Sequence, residues 1–250
     1  MKVSKTKKNT WLYSAIVLLA MIGSAYGQGT IIAQHSGAND PTTEGFGSYG
    51  TGQAGGVTND LGYNAWVTPW AYRSSVGYGA SINNIADVDW ILSVTVRIET
   101  TGATPGEFSV DVDTGASTSP LFDLDFGSGL NGSPIVATGG GSGYQYQYTL
   151  TDAGSTYNNY QLVYDAGTET ANLWVNGTEE LSGIAGRFGS TSASFGWGGN
   201  SSYQTSGTSQ ANWSLVSLEI TPEPSTGCLI LFGGGVIIYV RRNYKRRCHQ

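Results

Sequence analysis

The segment Trp90-Ile-Leu-Ser-Val-Thr-Val-Arg-Ile-Glu99 narrows the choice of fold more than any other. Its apolar residues fall at 90, 92, 94, 96 and 98, while Ser93, Thr95, Arg97 and Glu99 fall between them. Successive side chains of a strand point to opposite faces, so this period of two describes a strand with one buried face. The pattern recurs. Phe108, Val110 and Val112 alternate with Ser109, Asp111 and Asp113; Phe122, Leu124 and Phe126 share one face of a further segment. Tyr144, Tyr146, Tyr148 and Leu150 alternate with Gln145, Gln147 and Thr149. Glycine-rich stretches separate these segments, and no stretch of comparable length carries a helical period. One-faced strands joined by tight turns predict an all-β fold, antiparallel sheets packed as a two-sheet β-sandwich. The span 28–220 is long enough for one such domain.

The run from Tyr160 to Gly177 predicts a hairpin. Tyr160, Leu162 and Tyr164 form one strand face and Ala171, Leu173 and Val175 the next, with Asp165–Glu169 as the connecting loop. Asn176-Gly177 is the pair expected in a type I′ turn. Trp213–Ile220 changes apolar phase midway, which predicts a bulge, and Gly29–Ala33 is a natural partner strand for it. The hairpin pattern resembles the core of concanavalin A-like lectin/glucanase domains, LamG-like jelly rolls, over roughly 157–186. That resemblance implies a body that binds carbohydrate, serves in adhesion or hydrolyses glycans.

The two ends read as addresses. Lys2, Lys5, Lys7 and Lys8 precede a short apolar helix-forming segment, Trp11 to Ile22, and Ala25-Tyr26-Gly27 supplies small residues for cleavage. Residues 1–27 therefore read as a signal peptide, removed by signal peptidase. At the other end Pro222, Glu223, Pro224, Ser225 and Thr226 precede an apolar run, 227–240, and a basic cluster of Arg241, Arg242, Lys245, Arg246 and Arg247. The prolines keep the approach to the apolar run extended. As a single helix the run spans roughly 21 Å at about 1.5 Å per residue, short of a comfortable crossing of about 20 residues. Its Gly233-Gly234-Gly235 triplet weakens the helix further. Taken together, 221–247 resembles the PEP-CTERM sorting tail of Gram-negative bacteria. The resemblance implies export through the inner membrane, transient anchoring, cleavage by a membrane-embedded exosortase, and release to the cell surface or exopolysaccharide matrix.

Without these ends the body is strongly acidic. Arg73, Arg97 and Arg187 are its only cations against 17 Asp and Glu, a net charge of −14, compared with −6 for the whole chain. Three scattered arginines cannot neutralise a phosphate backbone, so nucleic acid is excluded as a partner. Both cysteines, Cys228 and Cys248, lie in the tail, which leaves the body without a disulfide or thiolate chemistry. The membrane is met only through the terminal segments.

No catalytic set stands out, and an enzyme is not expected. The Glu-x-Asp-x-x-Glu pattern of the glucanases that the fold resembles is missing, and Glu107, Asp111, Asp113, Asp123 and Asp125 do not reproduce it. Asp111 and Asp113 read as the solvated face of an acidic strand. His35, the only histidine of the body, stands in a loop-like Gln34-His35-Ser36-Gly37 context without a nucleophile elbow. Sugar binding calls for aromatic faces beside amides and carboxylates. The candidates are Trp174 between Asn172 and Asn176; Trp66 and Trp70 near Asn64 and Tyr72; and Trp197 near Asn200 and Tyr203. Alternation sets Trp174 on the face opposite Leu173 and Val175, where it either meets ligand or packs beneath a crossing loop. For calcium the oxygen-bearing set is Asp123, Asp125 and Asn131, with Asp87 and Asp89 as a second, and ordinary surface acidity accounts for both as well. The overall expectation is a surface or matrix protein that binds exopolysaccharide. A structural surface protein without ligand is the alternative, and a glycan hydrolase ranks after it.

The tail reading predicts that intact-mass measurement of the surface form shows loss of everything beyond about Pro222–Thr226. A mature protein that retains Arg247 would mean a permanent anchor instead.

Overall fold

A computed structural model of the chain describes residues 29–50, 55–70, 76–100, 108–116, 121–128, 134–138, 146–149, 154–187, 192–199 and 209–221. The signal peptide, the sorting motif with its apolar run and basic cluster, and Tyr72, Tyr144, Asn131, Asn200 and Tyr203 lie outside the described residues. Thr30–Ile220 forms one compact unit.

The described residues form fifteen strands and one 3-10 turn, Pro41–Glu44. The strands are β1 (Thr30–Ser36), β2 (Gly47–Gly50), β3 (Gly56–Asp60), β4 (Tyr63–Trp70), β5 (Val76–Ser81), β6 (Trp90–Thr100), β7 (Phe108–Asp113) and β8 (Leu121–Ser128). After them come β9 (Pro134–Thr138), β10 (Tyr146–Thr149), β11 (Asn158–Asp165), β12 (Thr170–Val175), β13 (Thr178–Ala185), β14 (Ser194–Gly199) and β15 (Ser209–Ile220). One sheet runs β13-β12-β11-β6-β15-β4-β3, with β1 also pairing to β15, and the other runs β10-β9-β8-β7-β14-β5-β2. Every pairing is antiparallel.

The inner faces of the two sheets meet through aromatic rings. Trp90 of β6 meets Phe122 of β8 at 5.5 Å between centroids, and Phe126 of β8 meets Tyr160 of β11 at 5.1 Å. Trp197 of β14 meets Trp213 of β15 at 5.4 Å. Valines and leucines from the same alternating positions, Leu92, Val94, Val110, Leu124 and Leu162, are fully buried among them. Offset and edge-on aromatic pairs add roughly 0.5–1.5 kcal/mol each beyond the area they bury.

The local expectations from alternation and turn chemistry are met. Asn176 and Gly177 have φ of 51° and 83°, the left-handed pair of a type I′ turn. The loop from Asp165 to Glu169 closes on its first side chain, whose Oδ1 accepts the amides of Gly167 at 2.7 Å and Thr168 at 3.2 Å. β15 shifts register between Trp213 and Leu215, the bulge that its change of phase predicts. β1 pairs with β15 from Thr30 opposite Ile220. Tyr148 packs against the core as its stripe predicts.

Two expectations are corrected. His35 is a strand residue with no exposed surface, not part of a loop. Its ring stacks on Trp197 at 4.4 Å, and Nδ1 lies 2.6 Å from Glu44 Oε2. Burial pushes its pKa down against the opposing pull of Glu44. The acidic strand is not solvated: Asp111 is half-buried, while Asp113, Asp123 and Asp125 are buried.

On the outer face of the larger sheet Arg97 joins segments remote in sequence. Its Nε donates to Asp60 Oδ2 at 2.6 Å, one Nη to the Gly154 carbonyl at 2.9 Å and the other to Glu99. Asp60 Oδ2 also accepts from Tyr157 at 2.9 Å and from Asn212 at 2.8 Å. These hydrogen bonds and ion pairs hold Asp60 below the usual carboxylate range, even though desolvation acts the other way.

Trp197→Ala is expected to cost about 3–5 kcal/mol in urea unfolding, the range for emptying a large aromatic site in a core. Trp174→Ala, on the outer face, is expected to cost about 1 kcal/mol or less.

Candidate functional site

The glycines of β5 and β14 alternate with core residues. In Gly77-Tyr78-Gly79 and Gly196-Trp197-Gly198 the aromatic side chains point inward, so the outward positions carry no side chain. Gly79 pairs with Gly196 and Gly77 with Gly198, which leaves a patch of bare backbone on the outer face of the smaller sheet. Glycine inside a strand costs roughly 0.5–1 kcal/mol relative to alanine and often marks a place where another group approaches the backbone closely.

Tyr49 of the edge strand β2 is one such group. It pairs with Gly77, and a methyl group added at Gly77 would overlap its ring. A methyl at Gly79 would lie 3.7 Å from ring atom Cε1. The ring therefore lies along the glycine patch, yet Tyr49 remains 47% exposed. Its hydroxyl end is desolvated against the sheet at Gly77 and Gly196, which, with the charge of Asp111 second, raises its pKa. Beside it opens a trough of about 350 Å³ lined by Tyr49, Gly79, Ser81, Asp111, Ser194 and Gly196. That volume falls within the roughly 300–1,000 Å³ of ligand pockets.

One carboxylate, Asp111, lines the trough, and two others stand on the same face of the sheet. The core positions Val110, Val112, Phe122 and Leu124 force Asp111, Asp123 and Asp125 onto the outer face, with Asp111 opposite Asp123 and Asp125 opposite Ser109. Arg187 arrives from far along the chain through a bridge to Leu121, closed by backbone hydrogen bonds of 2.9 and 2.7 Å. Its guanidinium lies 2.5 Å from Asp123 Oδ2. Ser109 donates to Asp111 Oδ2 at 3.2 Å. Burial, with the neighbouring charge of Asp123, raises Asp111 to about 7. Asp125 is raised by burial, by the charges of Asp123 and Asp111 and by a side-chain hydrogen bond with Asp123, and among the described residues its Oδ1 is buried without a partner. At pH 7 the group thus resists full ionisation, because among the described residues one guanidinium faces three carboxylates in a desolvated setting.

The sugar-binding candidates read from sequence do not come together. Trp66 and Trp197 are core residues, 6% and 0% exposed, because their inward alternation takes precedence over their polar neighbours in sequence. They have no face to offer a ligand. Trp70 lies in β4 beside Ser209 of β15, and its side chain is not described. Trp174 lies half-buried on the outer face of the larger sheet, between Gln161 and Glu179 on its neighbouring strands. Its flanking amides hold the local fold. Asn172 accepts the Gly183 amide at 3.0 Å; Asn176 accepts the Asn159 amide and donates to Asn158 Oδ1, both at 2.9 Å.

The calcium candidates fare differently. Asp123 and Asp125 are neighbours on one face, but the Arg187 guanidinium occupies the flank of Asp123 where a cation would bind, and Asn131 is outside the described residues. Asp89 caps the Ala166 amide at 2.9 Å. Among the described residues no three His, Cys, Asp or Glu side chains are grouped to hold a metal ion.

Tyr49 and Arg187 are the site residues that the sequence analysis missed. Tyr49 sits in a short glycine-flanked segment, and Arg187 is a single basic residue two positions after the end of β13. A signal for the trough is present in the alternation of glycine with core residues at 77–80 and 195–198. That pattern marks one strand face as empty.

Comparison with known proteins bears on the tail and the fold separately. No curated protein matches the chain. The sandwich is similar to a carbohydrate esterase from the Shiga toxin-encoding bacteriophage phi24B, with 9% identity and a TM-score of 0.59 over 78% of this chain and 100% of that one. It is similar to peanut lectin, with 10% identity and a TM-score of 0.54 over 78% and 98%. It is also similar to domain 4 of an extracellular arabinanase from Geobacillus stearothermophilus, solved with arabinotriose, with 16% identity and a TM-score of 0.51 over 80% and 97%. At such identities the likeness establishes the fold alone. Residues 221–247 match the PEP-CTERM protein-sorting motif.

Proposed function

We propose that this chain is an exported protein, processed by an exosortase at its PEP-CTERM motif, whose concanavalin A-like sandwich binds glycan in the surrounding exopolysaccharide matrix. The observation that carries the binding half is the open face of Tyr49 above a glycine-paved trough. A pyranose presents C–H groups on its faces and hydroxyls around its rim, so it stacks on an aromatic plane while polar groups bind its edge. The absence of side chains at Gly77 and Gly79 lets the Tyr49 ring lie along the sheet, and Asp111 and Ser194 stand beside it where rim hydroxyls would meet them. Fixing the aromatic plane in advance lowers the entropy lost on binding. Neighbours of the same fold with lectin and carbohydrate-active names are consistent with this use of the sandwich.

The test is affinity electrophoresis of residues 28–221, which contain the whole compact unit, in gels holding the producing organism's exopolysaccharide. The unsubstituted domain is expected to be retarded, and Tyr49→Ala to lose the retardation while keeping its β-sheet circular dichroism. Loss with Trp174→Ala but not with Tyr49→Ala would move the site to the larger sheet. A folded domain that is never retarded would leave a structural surface protein, and release of reducing ends would favour a hydrolase.

A further inference from the structure

We infer that His35 and Glu44 form an acid-released latch, which holds the chain between β1 and β2 and so sets Tyr49 against the glycine face. This goes beyond the glycan reading, and only its consequence for binding rests on that reading. Between Ser36 and Gly47 the chain leaves the larger sheet and reaches the end strand of the smaller one. One carboxylate gathers this stretch. Glu44, at the end of the 3-10 turn, accepts the Ser36 amide at 3.1 and 3.3 Å, the Asn39 side-chain amide at 2.8 Å and the His35 ring at 2.6 Å. Two residues further on, Phe46 is buried with its ring 6.1 Å from Trp197, the same ring on which His35 stacks at 4.4 Å. Glu44 is thus tied to β1 on one side and leads through Gly45 and Phe46 into β2 on the other. β2 is four exposed residues at the end of its sheet, two of them glycine. Short, exposed elements of this kind lie at the low-stability end of a fold and open locally before the core does.

Acid acts on the latch through the way His35 is buried. An ionised carboxylate only accepts, so the ring proton stands on Nδ1 and faces Glu44. Nε2 is buried and meets no hydrogen-bond partner among the described residues. A second proton would therefore bring a charge and an N–H that the core does not answer. The charged groups near the ring are Glu44 and Asp40, both of the turn segment, and both favour the imidazolium; desolvation outweighs them and holds His35 below its ordinary 6.5. Trp197 of β14 and Trp66 of β4 pack on the ring without charge, Val216 is its pair on β15, and burial pushes Tyr78 of β5, beyond Trp197, up from its ordinary 10. A histidine held down in the closed state takes a proton more readily once the latch is open. The closed form is therefore fully favoured above 6.5 and loses ground as pH falls towards the closed-state value. Asp111, beside Tyr49, titrates in the same range at about 7 but with the opposite sign, because a carboxyl raised in the closed state makes acid tighten that side.

The experiment is hydrogen-exchange mass spectrometry on the full chain in a non-ionic detergent at about pH 7.5 and about pH 5.5, either side of the ordinary histidine value of 6.5. Rates are read as protection factors, which removes the intrinsic pH dependence of exchange. Asp40, held low by its hydrogen bonds with Thr42, stays ionised over this range. Peptides covering 36–50 are expected to lose protection at the lower pH, by up to about tenfold for a pH unit below the histidine value, while those of β11 and β12 keep theirs. His35→Asn leaves a donor near the place of Nδ1 and cannot titrate, so it is expected to show equal protection of 36–50 at both pH values. Glu44→Gln is expected to lower the protection of 36–50 already at the higher pH, with β11 and β12 unchanged. Loss of protection in β11 and β12 in step with 36–50 would make the acid effect global and overturn the latch. So would an acid response that persists in His35→Asn, or a Glu44→Gln variant as protected as the parent. No glycan enters this measurement, so the latch is tested apart from the glycan reading. Where the exopolysaccharide retards the unsubstituted protein, retardation is expected to weaken at the lower pH, and not in His35→Asn. Retardation that ignores a loosened 36–50 would place the glycan site away from Tyr49 and leave the latch standing.

Discussion

The seam of aromatic rings between the two sheets is the interaction on which the rest of the molecule depends. Trp90 stacks on Tyr164 at 4.9 Å and meets Phe122; Phe126 meets Tyr160 and Trp213; Trp213 meets Trp197, which carries His35 on its face. Rings from both sheets interlock here, so neither sheet buries its inner face alone. A body with few charged residues and no cysteine has no covalent framework to fall back on. Burial of these rings, at about 25 cal/mol per Å² of apolar surface, is the dominant favourable term.

The same seam shapes the outer surface. A strand that spends its inward positions on Tyr78 and Trp197 can use its outward positions freely, and here they are glycine. Those glycines gain nothing from packing and cost strand stability, which a well-filled inner face can offset. On the next strands the outward positions are aspartates, held against desolvation because Val110, Val112, Phe122 and Leu124 fix the strands from within. A core of this kind can carry an electrostatically unfavourable row. The larger sheet shows the opposite arrangement: on its outer face Arg97, Asp60, Glu99 and Asn212 satisfy one another and lock strands together. One outer face is closed by its own hydrogen bonds, and the other carries a trough beside Tyr49 and a row of mostly buried aspartates.

The last strand ends at Ile220, and the sorting motif begins at residue 221. β1 and β15 pair from Thr30 opposite Ile220, so both ends of the sandwich leave it at one point.

Much of the fold could be read in the sequence because alternation, turn chemistry and phase are local. Trp90–Glu99 as a one-faced strand, the Asn176-Gly177 turn, the bulge in the final strand and its pairing with the opening strand follow from residues close to one another or from the ends of the chain. Alternation also separates Trp174 from Leu173 and Val175 correctly, since a pleat leaves no other choice. What it could not say is which outward face is open, or how deeply an outward residue is buried. Trp66 and Trp197 read as plausible ligand platforms until the opposing sheet covers them. Asp111, Asp123 and Asp125 read as solvated until their strands pair and Arg187 arrives from more than sixty residues away. Tyr49 gains meaning only when β2 pairs with β5 and its ring meets the bare backbone of Gly77. The sequence alone determined inside and outside along each strand, because the period of two is a property of the backbone. Only the tertiary structure decided which outside residues meet, because strand order brings together positions that no local pattern connects.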